Sequence, residues 1–548
     1  MAHALAGKPV QEQDIIDVQT IVDAYFDNVP DMTNPTQLVS FGTSGHRGTS
    51  VDGTFTDLHV AAITQAICDG RKQFGATGPI FVGQDTHALS QPALVTVLEV
   101  LAGNGVIAMV DCDMAFVPTP SVSRAIIRYN EEHDDKADGI IITPSHNPPD
   151  NGGIKYNTII GGPADTVVTK WIEMRANEYL TAYCESEDFK RISIDNIEPT
   201  AQVPYDYKGL YVEELGDVIN MEAIKAAGPK VLVDTLGGSG ASYWNAIKER
   251  YGLDLTIIHD DYDPTFSFMT YDHDGKVRMD CSSTYVMASV INRIGDFDLA
   301  VGNDPDYDRY GIVVSSGLIS ANTFLTLAAR YLFTTRGWKN KGVGKTVVCT
   351  TMIDKWAADA ETPVFEVPVG FKYFSQLLFD GAIGIGGEES AGASFLKKDG
   401  TVWTTDKDGM IMALLSMEIM AVMGKSALKM ADESLEEFGN PSFGRIDAPC
   451  KKEQKQILKQ MSAELITATT VDGDPITNIR TTSLYNDMPI DGVRVETDKG
   501  WFVARPSGTE DLYKIYGESY KGDLGLVALL TAGEEIVNAA LNGTIETE

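Results

Sequence analysis

The stretch Gly139-Ile-Ile-Ile-Thr-Pro-Ser-His-Asn-Pro148 joins an unbroken β-branched run to a loop carrying hydroxyl, imidazole and amide groups. An apolar run without polar alternation reads as a strand buried on both faces, the kind found in sheets covered by helices. Three more stretches repeat the pattern: LAVGNDPDYDR at 299–309, AIGIGGEES at 382–390 and FVARPSGTE at 502–510. Further β-branched runs at 79–83, 105–111, 230–234, 255–260 and 346–350 alternate with helical patterns over 58–74, 91–103, 323–333 and 409–424. That alternation marks α/β domains. Ligands of α/β sheets collect at the carboxyl ends of strands, where backbone N–H groups are exposed. Four such loops therefore predict one cleft built jointly by four domains.

At roughly 150 residues per domain, 548 residues make three or four domains. Gly and Pro interrupt the pattern at 198–210 and 439–454, and a helix–strand cycle resumes near 316–322. The resulting division is 1–205, 206–320, 321–440 and 441–548. Residues 1–40 read as a helical arm, with Ile15, Ile16, Val18, Ile21, Val22 and Tyr25 at near-helical spacing. The formal net charge of −34 argues against nucleic acid or an anionic membrane as partner, but not against a small anion in a locally basic cleft. The cysteines at 68, 112, 184, 281, 349 and 450 have no metal-ligand spacing and fit a reducing compartment. The N-terminus has no apolar signal region, and the apolar stretch 411–424 is short for a span and holds Glu418. These features predict a cytoplasmic protein.

Asp304-Pro-Asp306-Tyr-Asp308-Arg309 places carboxylates at alternate positions, an all-oxygen donor set suited to Mg²⁺. An EF-hand is excluded, because Arg309 stands where its glycine belongs and Ser315 where its last glutamate belongs. Ser145 beside His146 offers a hydroxyl next to a proton carrier, with no G-x-S-x-G elbow around it. Gly42–Gly48 is a glycine-rich loop with Arg47 to receive an anionic oxygen. Gly386-Gly-Glu388-Glu-Ser390 supplies acceptors for sugar hydroxyls, and Arg505-Pro-Ser507-Gly508-Thr509-Glu510 reads as a phosphate nest with Lys514 nearby. The stretch Gly342-Val-Gly-Lys-Thr346 mimics the end of a P-loop. Lys339 occupies the required first glycine, and the stretch is expected to precede a strand over 346–350.

Taken in order, TSGHRG (43–48), TPSHNP (143–148), NGGIKYN (151–157), GNDPDYDR (302–309), GEES (387–390) and RPSGTE (505–510) resemble the α-D-phosphohexomutase superfamily, in particular its bacterial glucose-specific members. The resemblance covers nearly the whole chain beyond residue 40. It implies three related mixed α/β domains and a smaller C-terminal α+β domain around one central cleft. It assigns Ser145 as the phosphorylated serine, with Asp304, Asp306, Asp308 and the seryl phosphate holding one Mg²⁺. Arg47, His146, Lys155 and Arg309 are implied around the reacting phosphate. Glu388, Ser390, Gly370 and Phe371 are implied at the sugar, and Arg505, Ser507, Gly508, Thr509 and Lys514 at the other phosphate. A cleft lysine is also implied, and Lys407 is preferred to Lys398 because a helix follows it. Many relatives have other residues where this chain has Pro144 and His46; His46 leaves room for an extra phosphate contact.

The implied reaction interconverts glucose 1-phosphate and glucose 6-phosphate through phospho-Ser145 and glucose 1,6-bisphosphate, with hexose phosphates as partners and a homodimer as the assembly. Lys155, His146 and Lys407 stand as alternatives for the acid and base. The 1–40 arm is read as serving oligomer contacts, from its position and helical pattern.

Overall fold

A computed structural model describes residues 2–42, 45–183, 189–506 and 512–545. The chain forms two compact units. Met1–Ser320, Ser375–Gly381 and Ser390–Leu428 make the first, and Ala321–Phe374, Ala382–Glu389 and Lys429–Glu548 the second.

The first unit holds two sheets. One contains β1 (His46–Thr49), β2 (Ile80–Gln84), β3 (Ala108–Asp111), β4 (Asp138–Ile142), β5 (Asn151–Asn157) and β6 (Gln202–Tyr205), in the order β1-β5-β4-β2-β3-β6. The pairs β2–β4, β2–β3 and β3–β6 are parallel, whereas β5 runs antiparallel to β4 and β1. Both faces are buried, which is why β4 shows no alternation. Ile140 and Ile142 join an apolar cluster with the helices Asp57–Gly70 and Ser90–Gly103, while Ile141 joins another with the helix Thr119–Glu132. The second sheet holds β7 (Val231–Asp234), β8 (Leu255–Ile258), β9 (Leu299–Asn303), β10 (Tyr310–Val314) and β11 (Gly317–Leu318), in the order β11-β10-β9-β7-β8. Here β9 and β10 form an antiparallel pair joined by the Asp304–Arg309 loop.

The helix Gly409–Met423 is apolar around its circumference apart from Ser416 and Glu418, and it is buried over its first eleven residues, as a core helix must be. The Asp408 side chain caps it by accepting from the Ile411 N–H. Gly409 N–H donates to the Tyr307 carbonyl at 2.9 Å, and a Cβ at Gly409 would lie 2.0 Å from the Arg309 carbonyl oxygen. Only glycine permits that approach, which delivers Lys407 to the acidic loop.

In the second unit, β12 (Gly342–Thr346), β13 (Val364–Val367) and β14 (Ile383–Gly387) are parallel in the order β13-β12-β14. A six-stranded sheet follows, ordered Ser442–Pro449, Leu512–Ser519, Gly500–Pro506, Pro489–Thr497, Asp474–Thr482 and Thr470–Val471, all pairs antiparallel. The helix Gly522–Ile545 is, by length and composition, the one described helix able on its own to cross a membrane. Its Leu529, Leu530, Val537 and Leu541 are buried in the core of this sheet.

Two expectations are corrected. The strand expected at 346–350 is Gly342–Thr346 itself, so the P-loop mimic is a buried strand; Lys345 on it donates to the Thr350 carbonyl and pairs with Asp354. Within the arm the α-helix covers Val18–Asp27, with single 3-10 turns at Glu12–Asp14 and Pro35–Gln37. The arm's earlier residues pair with 269–273 of the same unit: Gly7 N–H donates to the Tyr271 carbonyl at 2.8 Å and Val10 N–H to the Met269 carbonyl at 3.0 Å. The spaced apolar residues from Val18 to Tyr25 do lie on the α-helix, while Gly7 and Val10, which lie ahead of that spacing, give their N–H groups to a facing segment.

Candidate active site

Ser145 follows β4 and is 1% exposed. Its φ of +60° is left-handed, a conformation that costs a non-glycine residue about 1 kcal/mol or more. Its N–H donates to Thr143 Oγ1 at 2.7 Å and its hydroxyl to Asp304 Oδ2 at 2.9 Å. A residue after one sheet thus meets the β9–β10 loop of the other.

Asp304, Asp306 and Asp308 are fully buried, and a carboxylate oxygen from each lies within 4.8 Å of the others. Asp306 Oδ2 accepts from Lys155 Nζ at 2.6 Å and from the Thr119 hydroxyl at 2.6 Å. Asp308 Oδ2 accepts from Lys155 at 3.1 Å and pairs with Lys407 at 2.7 Å. The remaining oxygens, Asp306 Oδ1 and Asp308 Oδ1, are buried with no hydrogen-bond donor among the described residues. Buried carboxylate oxygens are seldom left so. The donor set is all oxygen, compact and anionic, and fits a hard divalent cation such as Mg²⁺.

Electrostatics divide the three acids. Burial first, then repulsion by Asp306 and Asp308, holds the Asp304 carboxyl well above the usual range. Burial would also raise Asp308, but Lys155, Lys407 and Arg309 outweigh it and hold it well below. Burial opposes the Lys155 charge, yet Asp306 and Asp308 prevail and keep it an ammonium. Arg47, set on β1 opposite Gly153, feels burial first and then the attraction of Asp306 and Asp308.

His146 lies 3.8 Å from Asp280 through Nδ1, and Arg309 donates to the same Asp280 oxygen at 3.4 Å. Burial, and next the positive Arg309, push His146 well below its ordinary value, so the ring is neutral. Burial would raise Asp280, but the positive Arg309 and hydrogen bonds from Ser282 more than reverse it. The first unit therefore brings Ser145, His146, Arg47, Lys155, Arg309, Lys407 and the three aspartates into one neighbourhood. Ser390 belongs to this unit as well, whereas Lys398 instead donates to the Ile219 carbonyl at 3.3 Å.

The remaining predicted residues belong to the second unit. Phe371 is buried edge-on to Phe374 at 5.4 Å, next to Gly370 with φ +132°, and Glu388 is 7% exposed. Arg505 and Lys514 are register partners on adjacent strands, and Arg505 Nε donates to the Ile490 carbonyl at 2.9 Å. Lys514 also lies opposite Asp447 on its other neighbouring strand. Ser507, Gly508 and Thr509 lie outside the described residues, as do Thr43 and Ser44 of the first glycine-rich loop.

His46 is a correction. Its ring nitrogens lie 3.3 Å from the Ser40 carbonyl and 2.9 Å from the Thr54 carbonyl, and the ring stacks on His59. It is a core residue and not a phosphate contact. Asp280 and Thr119 were missed. No spacing marks Asp280, whereas Thr119 follows Pro118 at a helix start, a position readable as a cap but not as a carboxylate partner.

Strand-end loops converging on a serine, three acids and several cations define an α/β enzyme site for an anionic substrate. Models of the phosphoglucomutase/phosphomannomutase domains match in order: α/β/α domain I at 38–182, domain II at 210–317, domain III at 320–438 and the C-terminal domain at 447–524. The chain belongs to this family, the phosphohexomutases, with their three α/β/α domains and C-terminal domain. It is 46% identical to a phosphoglucomutase of Komagataeibacter xylinus over 97% of both chains. It is 26% identical to phosphoglucomutase 1 of Saccharomyces cerevisiae over 88% of both. In fold it is similar to the crystal structure of parafusin, a phosphoglucomutase from Paramecium, with a TM-score of 0.72, 20% identity and coverage of 94% and 96% of the two chains.

Proposed function

We propose that this protein interconverts α-D-glucose 1-phosphate and D-glucose 6-phosphate through a phosphoserine at Ser145. The observation that carries the reading is the buried Ser145 hydroxyl, 2.9 Å from Asp304 of an acidic loop that Lys155 and Lys407 pair with, in a chain 46% identical to a phosphoglucomutase. Ser145 carries the phosphoryl group. The sugar 6-hydroxyl attacks its phosphorus, the P–O bond to serine breaks, and the hydroxyl proton is passed on while the serine oxygen regains one. The glucose 1,6-bisphosphate so formed exchanges its ends and returns its 1-phosphoryl to Ser145, releasing glucose 6-phosphate.

Asp304, Asp306 and Asp308, with a seryl phosphate oxygen, would hold Mg²⁺, which when bound draws charge from the transferring oxygens. Arg47 and Arg309 orient the phosphoryl group. Lys155 enters as an acid, since Asp306 and Asp308 keep it protonated. His146 is neutral and can accept a proton, and Lys407 is held on Asp308 within reach of the same loop. Glu388, Ser390, Gly370 and Phe371 are assigned to the sugar, and Arg505, Ser507, Gly508, Thr509 and Lys514 to the non-reacting phosphate. The domain division at 205, 320 and 440 belongs to the same reading.

A coupled assay comparing glucose, mannose and glucosamine 1-phosphates, each with and without a trace of its 1,6-bisphosphate, tests the proposal. Preference for glucose with bisphosphate activation is expected; a faster rate with mannose or glucosamine reassigns the substrate. Intact mass and peptide mapping are expected to find one phosphate at Ser145, and its absence from turning-over enzyme rejects the mechanism.

A further inference from the structure

Behind the serine loop lies a buried polar hub that the reaction described above does not use. Asp85 follows β2 directly, and its carboxylate accepts four hydrogen bonds. Oδ1 takes the His87 N–H at 3.0 Å and the Ser90 hydroxyl at 2.6 Å; Oδ2 takes His87 Nδ1 at 2.9 Å and the Thr143 hydroxyl at 2.6 Å. Asp85, His87, Ser90 and Thr143 are each at most 1% exposed. Thr143 Oγ1, having donated to Asp85, accepts the Ser145 N–H at 2.7 Å. The other end of His87 reaches past the serine, with Nε2 at 3.0 Å from the Asn147 carbonyl. Both ring nitrogens therefore face acceptors, and the ring must carry both protons to satisfy them. The carboxylate and the imidazolium together grip the loop two residues before Ser145 and two residues after it.

Cohesion is a weak reason for such a hub. A desolvated ion pair adds little net stability compared with apolar side chains of the same size. What it supplies is direction, because the left-handed Ser145 backbone persists only where its surroundings over-determine it. We propose that Asp85 and His87, acting through Thr143 and Asn147, are positioning residues that hold the Ser145 hydroxyl in its phosphoryl-accepting orientation. The inference rests on Ser145 being the phosphoryl carrier. A fixed loop aims the hydroxyl at the transferring phosphorus, whereas sugar binding, which uses other residues, is untouched.

The test uses the full-length enzyme with Mg²⁺, glucose 1-phosphate and glucose 1,6-bisphosphate. Thr143→Val keeps the shape but removes both the donor and the acceptor, and Thr143→Ser restores them. The Val variant is expected to lower kcat at least about tenfold, with KM for glucose 1-phosphate unchanged within about twofold. Phosphorylation of the dephosphorylated variant by the bisphosphate, followed by intact mass, should slow by a similar factor. Thr143→Ser should recover at least about a third of wild-type kcat. Asp85→Asn, compared by the same readouts, decides the matter if the Val variant does not fold. A folded Thr143→Val or Asp85→Asn enzyme with wild-type kcat overturns the proposal. So does a rise in KM matching the fall in kcat, or failure of Thr143→Ser to recover. Should wild-type protein neither take up phosphate at Ser145 nor convert glucose 1-phosphate, the reading of Ser145 fails instead.

Discussion

Two charge clusters invite comparison, one buried and one half-buried. In the first unit, Asp304, Asp306 and Asp308 face Lys155 and Lys407, and two carboxylate oxygens have no donor among the described residues. In the second unit, Glu366 and Glu496 face Arg480 and Arg494, and every carboxylate oxygen has one. Glu366 accepts from Arg480 at 2.7 and 3.2 Å, Glu496 Oε1 from Arg494 at 2.6 Å and Arg480 at 2.9 Å, and Glu496 Oε2 from Asn478 at 3.0 Å. The carboxylates of the second cluster are complete, although Arg480 Nε is buried without an acceptor among the described residues. Its arginines also reach neighbouring segments: Arg494 donates to the Val347 carbonyl and covers the Trp501 ring at 4.1 Å. The first is left with capacity over. A cluster whose carboxylates are all met by donors serves the fold, whereas buried acceptors left over among the described residues are what a bound cation could use.

Breaking the first cluster should act on chemistry. Ser145→Ala is expected to lower mutase turnover by at least about 10³-fold in the coupled assay, since the covalent route is lost. Thermal melting should be nearly unchanged. Near-normal conversion would remove Ser145 from the mechanism. Asp306→Asn should lower the rate about a hundredfold and raise the Mg²⁺ concentration needed for half-maximal activity, as read in a metal titration. An unshifted titration would detach the acidic loop from metal binding. Arg505→Ala in the second unit should raise KM for glucose 1-phosphate about tenfold with a smaller change in kcat; unchanged kinetics would count against the phosphate clamp.

Breaking the second cluster should act on stability alone. Glu366→Gln is expected to cost about 3 kcal/mol by leaving Arg480 poorly matched in a buried site, measured by denaturant unfolding, with the Mg²⁺ titration unmoved. The pH effect is the smallest and its sign is defined. Burial opposes the Glu496 charge, but Arg494 and Arg480 outweigh it and bring the carboxyl down to about 2. Its contribution is therefore fully present above the ordinary value near 4.5 and is lost as the pH falls from there toward 2. Melting curves across that window should flatten in Glu496→Gln; an identical slope would show that another group governs acid unfolding.

Much of the site was legible because its chemistry sits where unbroken strands end. Ser145, the three aspartates, Arg309 and Glu388 all lie just past such runs, and burial of β4 and β9 on both faces is what their lack of alternation announces. Asp85 follows the same rule after β2, yet a lone Asp-Thr-His run carries no family of ligands to give it away. The helical spacing around Val18–Tyr25 was legible, but its extension to the first residues of the arm was not, because those residues carry no periodicity and pair with a backbone segment far away in sequence. His46 was misread because a polar residue in a glycine-rich loop gives no sign of which way its ring turns.

Sequence alone determined the α/β class, the loop order and the residue types available for phosphate, sugar and metal, because these depend on local periodicity and side-chain chemistry. Tertiary structure alone decided which of those groups meet. That Ser145 donates to Asp304, 159 residues away, and that Lys407 reaches Asp308 depend on packing one sheet and one buried helix against another. Protonation was decided there too. Whether Lys155 is an acid, His146 neutral or Asp304 raised is a property of distance and burial, and neither is written in the order of the residues.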